Sequence, residues 1–187
     1  METDIRKMPK DLFQIEILEL HWKKDMPEQL DRCAHGNVRV KIGDEIIVDQ
    51  QPDGEDWTLS AMALHLLRTL EKDHHPDHRV GEHLIPHCGF HIDHLDNESD
   101  VHLQGCFEGV NFWITHQEDK IKITTESGTS TEVSIDGYKG EVLKFSDKIM
   151  SFYQSSKPKQ LPQDEYDRKG YNLFLQEWNR RRQKWGN

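Results

Sequence analysis

The N-terminal part of the chain shows the alternation of hydrophobic and polar positions that is typical of β-strands. Between residues 11 and 20, Phe13, Ile15 and Ile17 fall on one face, which predicts a half-buried strand. Two short runs rich in Val and Ile then flank Gly43-Asp44. Because Gly and Asp tolerate the positive φ of a tight turn, this second segment predicts a β-hairpin.

The next pattern has the period of an α-helix. Within residues 51–76, Asp56 or Thr58 can cap the exposed amides at a helix start, and Pro76 ends the helix. Trp57 is expected to pack at the helix entrance. Apolar residues recur three and four positions apart and form one stripe: Leu59, Met62, Ala63, Leu66, Leu67 and Leu70.

The rest of the chain divides into a β-rich middle and a helical end. Short alternating segments separated by Gly, Asn, Asp and Ser indicate an antiparallel meander. Two apolar stripes near the C-terminus, separated by Pro158 and Pro162, predict two helices. The order predicts an α+β fold, with a mostly antiparallel sheet (β-hairpin, helix, β-meander) and two C-terminal helices packed on it. A length of 187 residues fits a single domain, residues 1–187.

Composition narrows the classes of function. The formal net charge is −10 and the hydrophobic share is 34%. Such a chain lacks the cationic surface that phosphates and anionic lipids attract, so we expect it to bind neither nucleic acid nor membranes. A basic protein partner would be favoured electrostatically, although solubility alone also explains the charge. With no apolar run at the start and three cysteines that cannot all pair, we expect reduced thiols and a cytoplasmic location.

Seven of the twelve histidines lie between His74 and His94. Read as a strand, this stretch places His83, His87 and His91 on one face, ~13 Å apart at ~3.3 Å per residue. Three imidazoles at that spacing cannot share one metal ion, because metal–nitrogen bonds are only ~2.0–2.1 Å long. The stretch therefore predicts an edge or bulged strand with histidines on its wet face.

A second pattern has a sharper spacing for metal binding. Cys88, His91, His102 and Cys106 form C-x2-H-x10-H-x3-C, a donor set suited to tetrahedral, structural zinc. The alternative is a pair of hairpin strands with the two cysteines buried as small apolar residues. No cofactor is expected otherwise.

Two acidic segments are candidates for contact with a cationic partner. The first is Asp53, Glu55 and Asp56 beside Trp57, where an exposed aromatic ring flanked by acids would make a binding hot spot. Helix capping and packing explain the same residues. The second segment, which a solvated acidic turn also explains, contains Asp93, Asp96, Glu98 and Asp100. The basic run from Arg180 to Lys184 is expected to complement the dipole of the last helix.

None of the common catalytic motifs for nucleophiles, phosphate loops, dinucleotides or metalloproteases occurs. In size, charge, lack of such motifs and strand-then-helix order, the chain resembles the small acidic α+β proteins that bacteria keep beside polymorphic toxins as immunity proteins. We therefore predict a non-enzymatic acidic binding protein, of immunity type, that neutralises a basic toxin. The alternatives are a zinc-binding structural module and a hydrolase whose site is assembled in space. The sequence leaves the oligomeric state open.

Overall fold

A computed structural model describes residues 12–49, 56–87, 91–95 and 98–186. The helices are α1 (Leu59–Thr69), α2 (Ile135–Ser155) and α3 (Glu165–Lys184). The strands, in chain order, are β1 (Phe13–His21), β2 (His35–Ile42), β3 (Glu45–Val48), β4 (Trp57–Thr58), β5 (Ile85–Pro86), β6 (His91–Asp93), β7 (His102–Gln104), β8 (Gly109–Val110), β9 (Phe112–His116), β10 (Lys120–Thr125) and β11 (Ser130–Ser134).

The first sheet has β2 at its centre, with β1 along one edge and β3 and β4 along the other. The predicted hairpin is the turn between β2 and β3, where Gly43 has a φ of 60°. Phe13, Ile15 and Ile17 pair with Ile42, Val40 and Val38 and direct their side chains into the core.

A β-bulge halfway along β1 changes which face of the sheet its side chains point to. Ile17 pairs with Val38 but Glu19 pairs with Asn37, so Leu18 is an extra residue on β1. Because side chains alternate in facing, one extra residue moves every later side chain to the opposite face of the sheet. Glu19 and His21 therefore lie on the outer face, and Leu20 turns toward the core side.

Helix α1 is enclosed on all sides. All eleven of its residues are buried, although its sequence predicts a single apolar stripe. The difference arises because α2 and α3 both pack against it, as do β2 and β5. Thr58 is the N-cap residue, but its side chain makes no capping hydrogen bond.

The remaining strands form three small antiparallel sheets. β9, β10 and β11 make the predicted meander, while β5 pairs with β8 and β6 pairs with β7. The histidine-rich stretch is thus divided between two sheets instead of forming one strand, and residues 88–90 lie outside the described residues. The α+β class with two C-terminal helices is confirmed. Within the described ranges, no helix is long and apolar enough to cross a membrane.

Candidate functional site

The described part of the chain contains an open groove of about 1160 Å³. Its walls come from the hairpin β6–β7, the segment 98–101, the loop 78–82 and the start of α3. Two apolar side chains are exposed in it, Leu95 at 59% and Tyr166 at 43%. The Tyr166 ring stacks on His94 with a centroid distance of 4.2 Å, so the ring is held in place.

The floor of the groove rests on a buried cluster of opposite charges. Glu177, which is fully buried, accepts hydrogen bonds of 2.8 Å from Arg68 Nε, Arg68 Nη2 and Arg181 Nε. Its Oε2 also accepts the amide of Val101 at 2.8 Å. Arg181 continues outward to Glu71 and Asp100, at 2.9 and 2.6 Å. Each charged group in the centre of the cluster is therefore paired with a group of opposite charge.

Burial by itself would raise the pKa of Glu177, but the hydrogen bond and charge of Arg68, followed by the hydrogen bond from Arg181, outweigh it. The pKa of Glu177 consequently lies below its ordinary value of 4.5. Arg181, which the sequence pattern assigned to the helix dipole, instead turns inward and joins α3 to the rest of the protein.

The second acidic segment lies in the wall of this groove. Asp93 accepts hydrogen bonds from Gln104 and Tyr166, and Glu98 lies 2.8 Å from His102. Asp100 is already compensated by Arg180, Arg181 and Lys72. The sequence-predicted Asp96 lies outside the described residues.

The first acidic segment lies elsewhere, at the bulged end of the first sheet. Asp56 approaches His21, with 3.2 Å between Oδ1 and Nε2. Asp53 and Glu55 lie outside the described residues. The proposal that Trp57 is an exposed anchor is wrong, because the ring is only 4% exposed and packs edge-on against His87 at 5.9 Å. The alternative, packing at the helix entrance, is what the structure contains.

The predicted zinc ligands are placed as follows. His91 and His102 lie on paired strands of one hairpin, where His91 faces Gln104 and His102 faces Asp93. Each has its own carboxylate neighbour, Asp93 at 3.3 Å and Glu98 at 2.8 Å.

The two cysteines of the pattern do not complete the site within the described residues. Cys106 Sγ lies 3.7 Å from His87 Nδ1. Within the described ranges these residues do not form a group of three converging donors. Cys88 lies outside those ranges, so the four-ligand site stays a prediction.

A smaller cavity of about 260 Å³ contains the residues that a hydrolase hypothesis would need. His35 Nε2 is 3.4 Å from Asp31 Oδ1, and Cys33 lies beside them. Burial would raise the pKa of Asp31, but the neighbouring His35 and the hydrogen bonds from the amides of Lys23 and Cys33 hold it below its ordinary value. Burial, aided by the charge of Asp31, raises the pKa of Cys33 to about 12. A thiol with that pKa is protonated at neutral pH and is a poor nucleophile.

Sequence reasoning missed the residues that converge most closely. Arg68 and Glu177 are 109 positions apart, and His21 meets Asp56 from a different strand. One signal was available for His21: the alternation in β1 changes phase at Leu18, which is where the bulge lies. Comparisons with protein-family models, with curated proteins and with solved structures found no match for this chain.

Proposed function

We propose that this protein is a non-enzymatic acidic binding protein that holds a cationic segment of another protein in its large groove. An immunity protein that occludes a basic toxin would act in this way. The observation that carries the proposal is the position of Asp93 and Glu98 in the groove wall beside exposed Leu95 and Tyr166. Carboxylates around accessible apolar side chains suit a basic segment that also carries apolar residues.

The charges of the groove acids support this assignment. Among the described residues, no arginine or lysine forms an ion pair with Asp93 or Glu98, whereas Asp100 is paired with three cations. A cationic partner would therefore find two groove carboxylates that are not already in an ion pair with an arginine or lysine of the described residues. Such charges mainly accelerate association and select the partner, and the apolar contacts then hold the complex.

The shape and rigidity of the groove also favour a protein segment. Its volume of about 1160 Å³ exceeds the ~300–1,000 Å³ of typical small-molecule sites. The ion cluster beneath it fixes α1, α3 and Val101 relative to one another. A preformed surface of this kind reduces the ordering cost of binding.

Peptide binding tests the proposal. The probe is a fluorescently labelled peptide rich in Lys and Arg with Leu and Trp at intervals, and its counterpart carries Glu at every basic position. We expect fluorescence anisotropy to detect the basic peptide only. The double variant Asp93→Asn/Glu98→Gln should bind it about tenfold more weakly, because two steering charges are removed.

The matched control is Glu118→Gln/Asp119→Asn, which removes the same charge from two exposed positions that do not line the groove. It should bind the basic peptide almost as well as the original protein. Equal weakening in both double variants would refute the groove and indicate non-specific attraction to net charge. For the immunity role, the partner to test is the product of a neighbouring gene that encodes a large secreted protein.

A further inference from the structure

The bulged end of the first sheet gathers three metal-binding side chains. Glu19 and His21 both reach the outer face because of the bulge, and Asp56 approaches from the residue before β4. One donor atom from each residue lies within 4.8 Å of the other two. These residues belong neither to the large groove nor to the Cys88–Cys106 pattern.

The orientation of the His21 ring is fixed in the way that metal-binding histidines require. Its Nδ1 lies 3.1 Å from the carbonyl oxygen of Trp22, and because a carbonyl can only accept, Nδ1 is the donor. Trp22 is held in turn by a stack on Phe152 at 4.5 Å. In the neutral ring Nε2 then carries a lone pair, and it points at Asp56 Oδ1 across 3.2 Å. Two lone pairs at that distance require a proton or a cation between them.

A buried amide next to the cluster in the sheet provides an independent indication. Asn37 pairs with Glu19, and its neighbour Gly36 pairs with Trp57, the residue that follows Asp56. The side chain is only 3% exposed, and its Oδ1 has no hydrogen-bond partner among the described residues. A buried polar atom without a partner is costly. A ligand bound at the neighbouring cluster would give this oxygen the partner that it lacks.

We propose that Glu19, His21 and Asp56 bind a divalent transition-metal ion of the zinc type, next to Asn37. One imidazole and two carboxylates are among the donors that zinc accepts, and three protein ligands leave a coordination position open. Donor atoms of a tetrahedral zinc site with ~2.1 Å bonds lie about 3.4 Å apart. The His21–Asp56 separation of 3.2 Å is already close to that value. Mg²⁺ is a poorer fit, because it prefers oxygen ligands and retains its waters.

Binding of the ion would join two parts of the chain that are distant in sequence. Asp56 immediately precedes β4 and the buried helix α1, whereas Glu19 and His21 belong to β1. The ion would therefore fix the segment that leads into the central helix against the edge of the first sheet. It would also neutralise the two carboxylates at this end of the sheet.

The test is zinc binding to the untagged full chain, measured by calorimetry and by metal analysis after dialysis. We expect one zinc ion per chain, with Mg²⁺ binding far more weakly. His21→Gln, Asp56→Asn and Glu19→Gln should each weaken zinc binding about tenfold or more. Circular dichroism establishes whether each variant is folded. If His21→Gln does not fold, the near-isosteric variants Asp56→Asn and Glu19→Gln test the site on their own.

Two controls separate this site from other histidines. His116→Gln removes a histidine from a similar surface pair, His116–Asp73 at 2.7 Å, that is not part of a three-donor group within the described ranges. The second, His102→Gln/Cys106→Ser, removes ligands of the C-x2-H-x10-H-x3-C pattern. Both should retain zinc. Absence of zinc binding by the original protein, or undiminished binding by Asp56→Asn and Glu19→Gln, would overturn the proposal and leave His21–Asp56 as an ion pair.

Discussion

Two charged clusters in this molecule are built on opposite principles. In the cluster of Arg68, Glu177 and Arg181, both oxygens of a fully buried carboxylate accept hydrogen bonds from cationic or amide donors. At the bulged end of the first sheet, two carboxylates and one imidazole from Glu19, Asp56 and His21 lie close together, and the buried amide oxygen of the adjacent Asn37 has no partner among the described residues. The first, saturated cluster is accounted for by its role in the structure, whereas the second, unsaturated cluster is the site where we propose a metal ion.

The largest expected effect is loss of the charge at the centre of the saturated cluster. Glu177→Gln would leave Arg68 and Arg181 buried opposite a neutral side chain. Breaking a buried ion pair on one side typically costs about 3–5 kcal/mol, and we expect a loss of that size in the free energy of unfolding measured in urea. Glu165→Gln, in the exposed first turn of the same helix, should change it by less than about 0.5 kcal/mol. Similar values for the two variants would show that the cluster is not a structural centre.

The bulge can be tested through Gly36, which lies next to it on β2. A Cβ at this position would overlap the carbonyl oxygen of Glu19, so Gly36→Ala must displace β1. Overpacking of this kind costs about 1–3 kcal/mol, and zinc binding at Glu19 and His21 should weaken as well. The control is Gly140→Ala in α2, where a Cβ meets nothing within 4 Å. It should stabilise the protein by about 0.5–1 kcal/mol. Unchanged zinc binding in Gly36→Ala would mean that the bulge does not position the zinc ligands.

Acid should destabilise the protein through a buried histidine in α1. Burial, followed by the charge of Arg68, lowers the pKa of His65 to about 3, from an ordinary value of 6.5. The unfolded chain therefore takes up a proton that the folded chain does not. The stability contributed by neutral His65 is complete above pH 6.5 and is lost as the pH falls from 6.5 toward 3. One such proton corresponds to about 1.4 kcal/mol per pH unit.

Urea denaturation at several values between pH 7 and pH 4 measures this slope. The Gly140→Ala variant, which removes no titratable group, should show the same slope as the original protein. His65→Gln should show a shallower one, although burial also lowers the pKa of His74, to about 4, and that histidine adds its own slope. An unchanged slope in His65→Gln would contradict the assignment to His65.

The smallest expected effect on stability is that of a substitution in the cluster of Glu19, His21 and Asp56 when no metal is present. Asp56→Asn removes one partner of a partly exposed ion pair, and such pairs contribute about 0–1 kcal/mol. The free energy of unfolding should therefore change little in metal-free buffer. With zinc added, the original protein should gain more stability than the variant does. A large loss in metal-free buffer would mean that Asp56 has a structural role like that of Glu177.

Sequence reasoning was accurate where the signal is local. The alternation in β1, the Gly43-Asp44 turn and the apolar stripe of α1 each report which faces of one segment avoid water, so the elements and the α+β class could be predicted. It left two alternatives open for Trp57, packing at the helix entrance and an exposed anchor, because burial depends on what packs over a residue. It failed for the stretch from His74 to His94, which pairs with two different partner strands.

The sequence by itself determined the kinds of element, their order and the acidic character of the surface, since these follow from periodicity and composition. Only the tertiary structure decided which charges meet. Arg68 reaches Glu177 across 109 positions because α1 and α3 pack together. His21 reaches Asp56 because one extra residue in β1 turns it to the outer face. Contacts between distant segments depend on strand register and helix packing, and neither leaves a periodic signal in the chain.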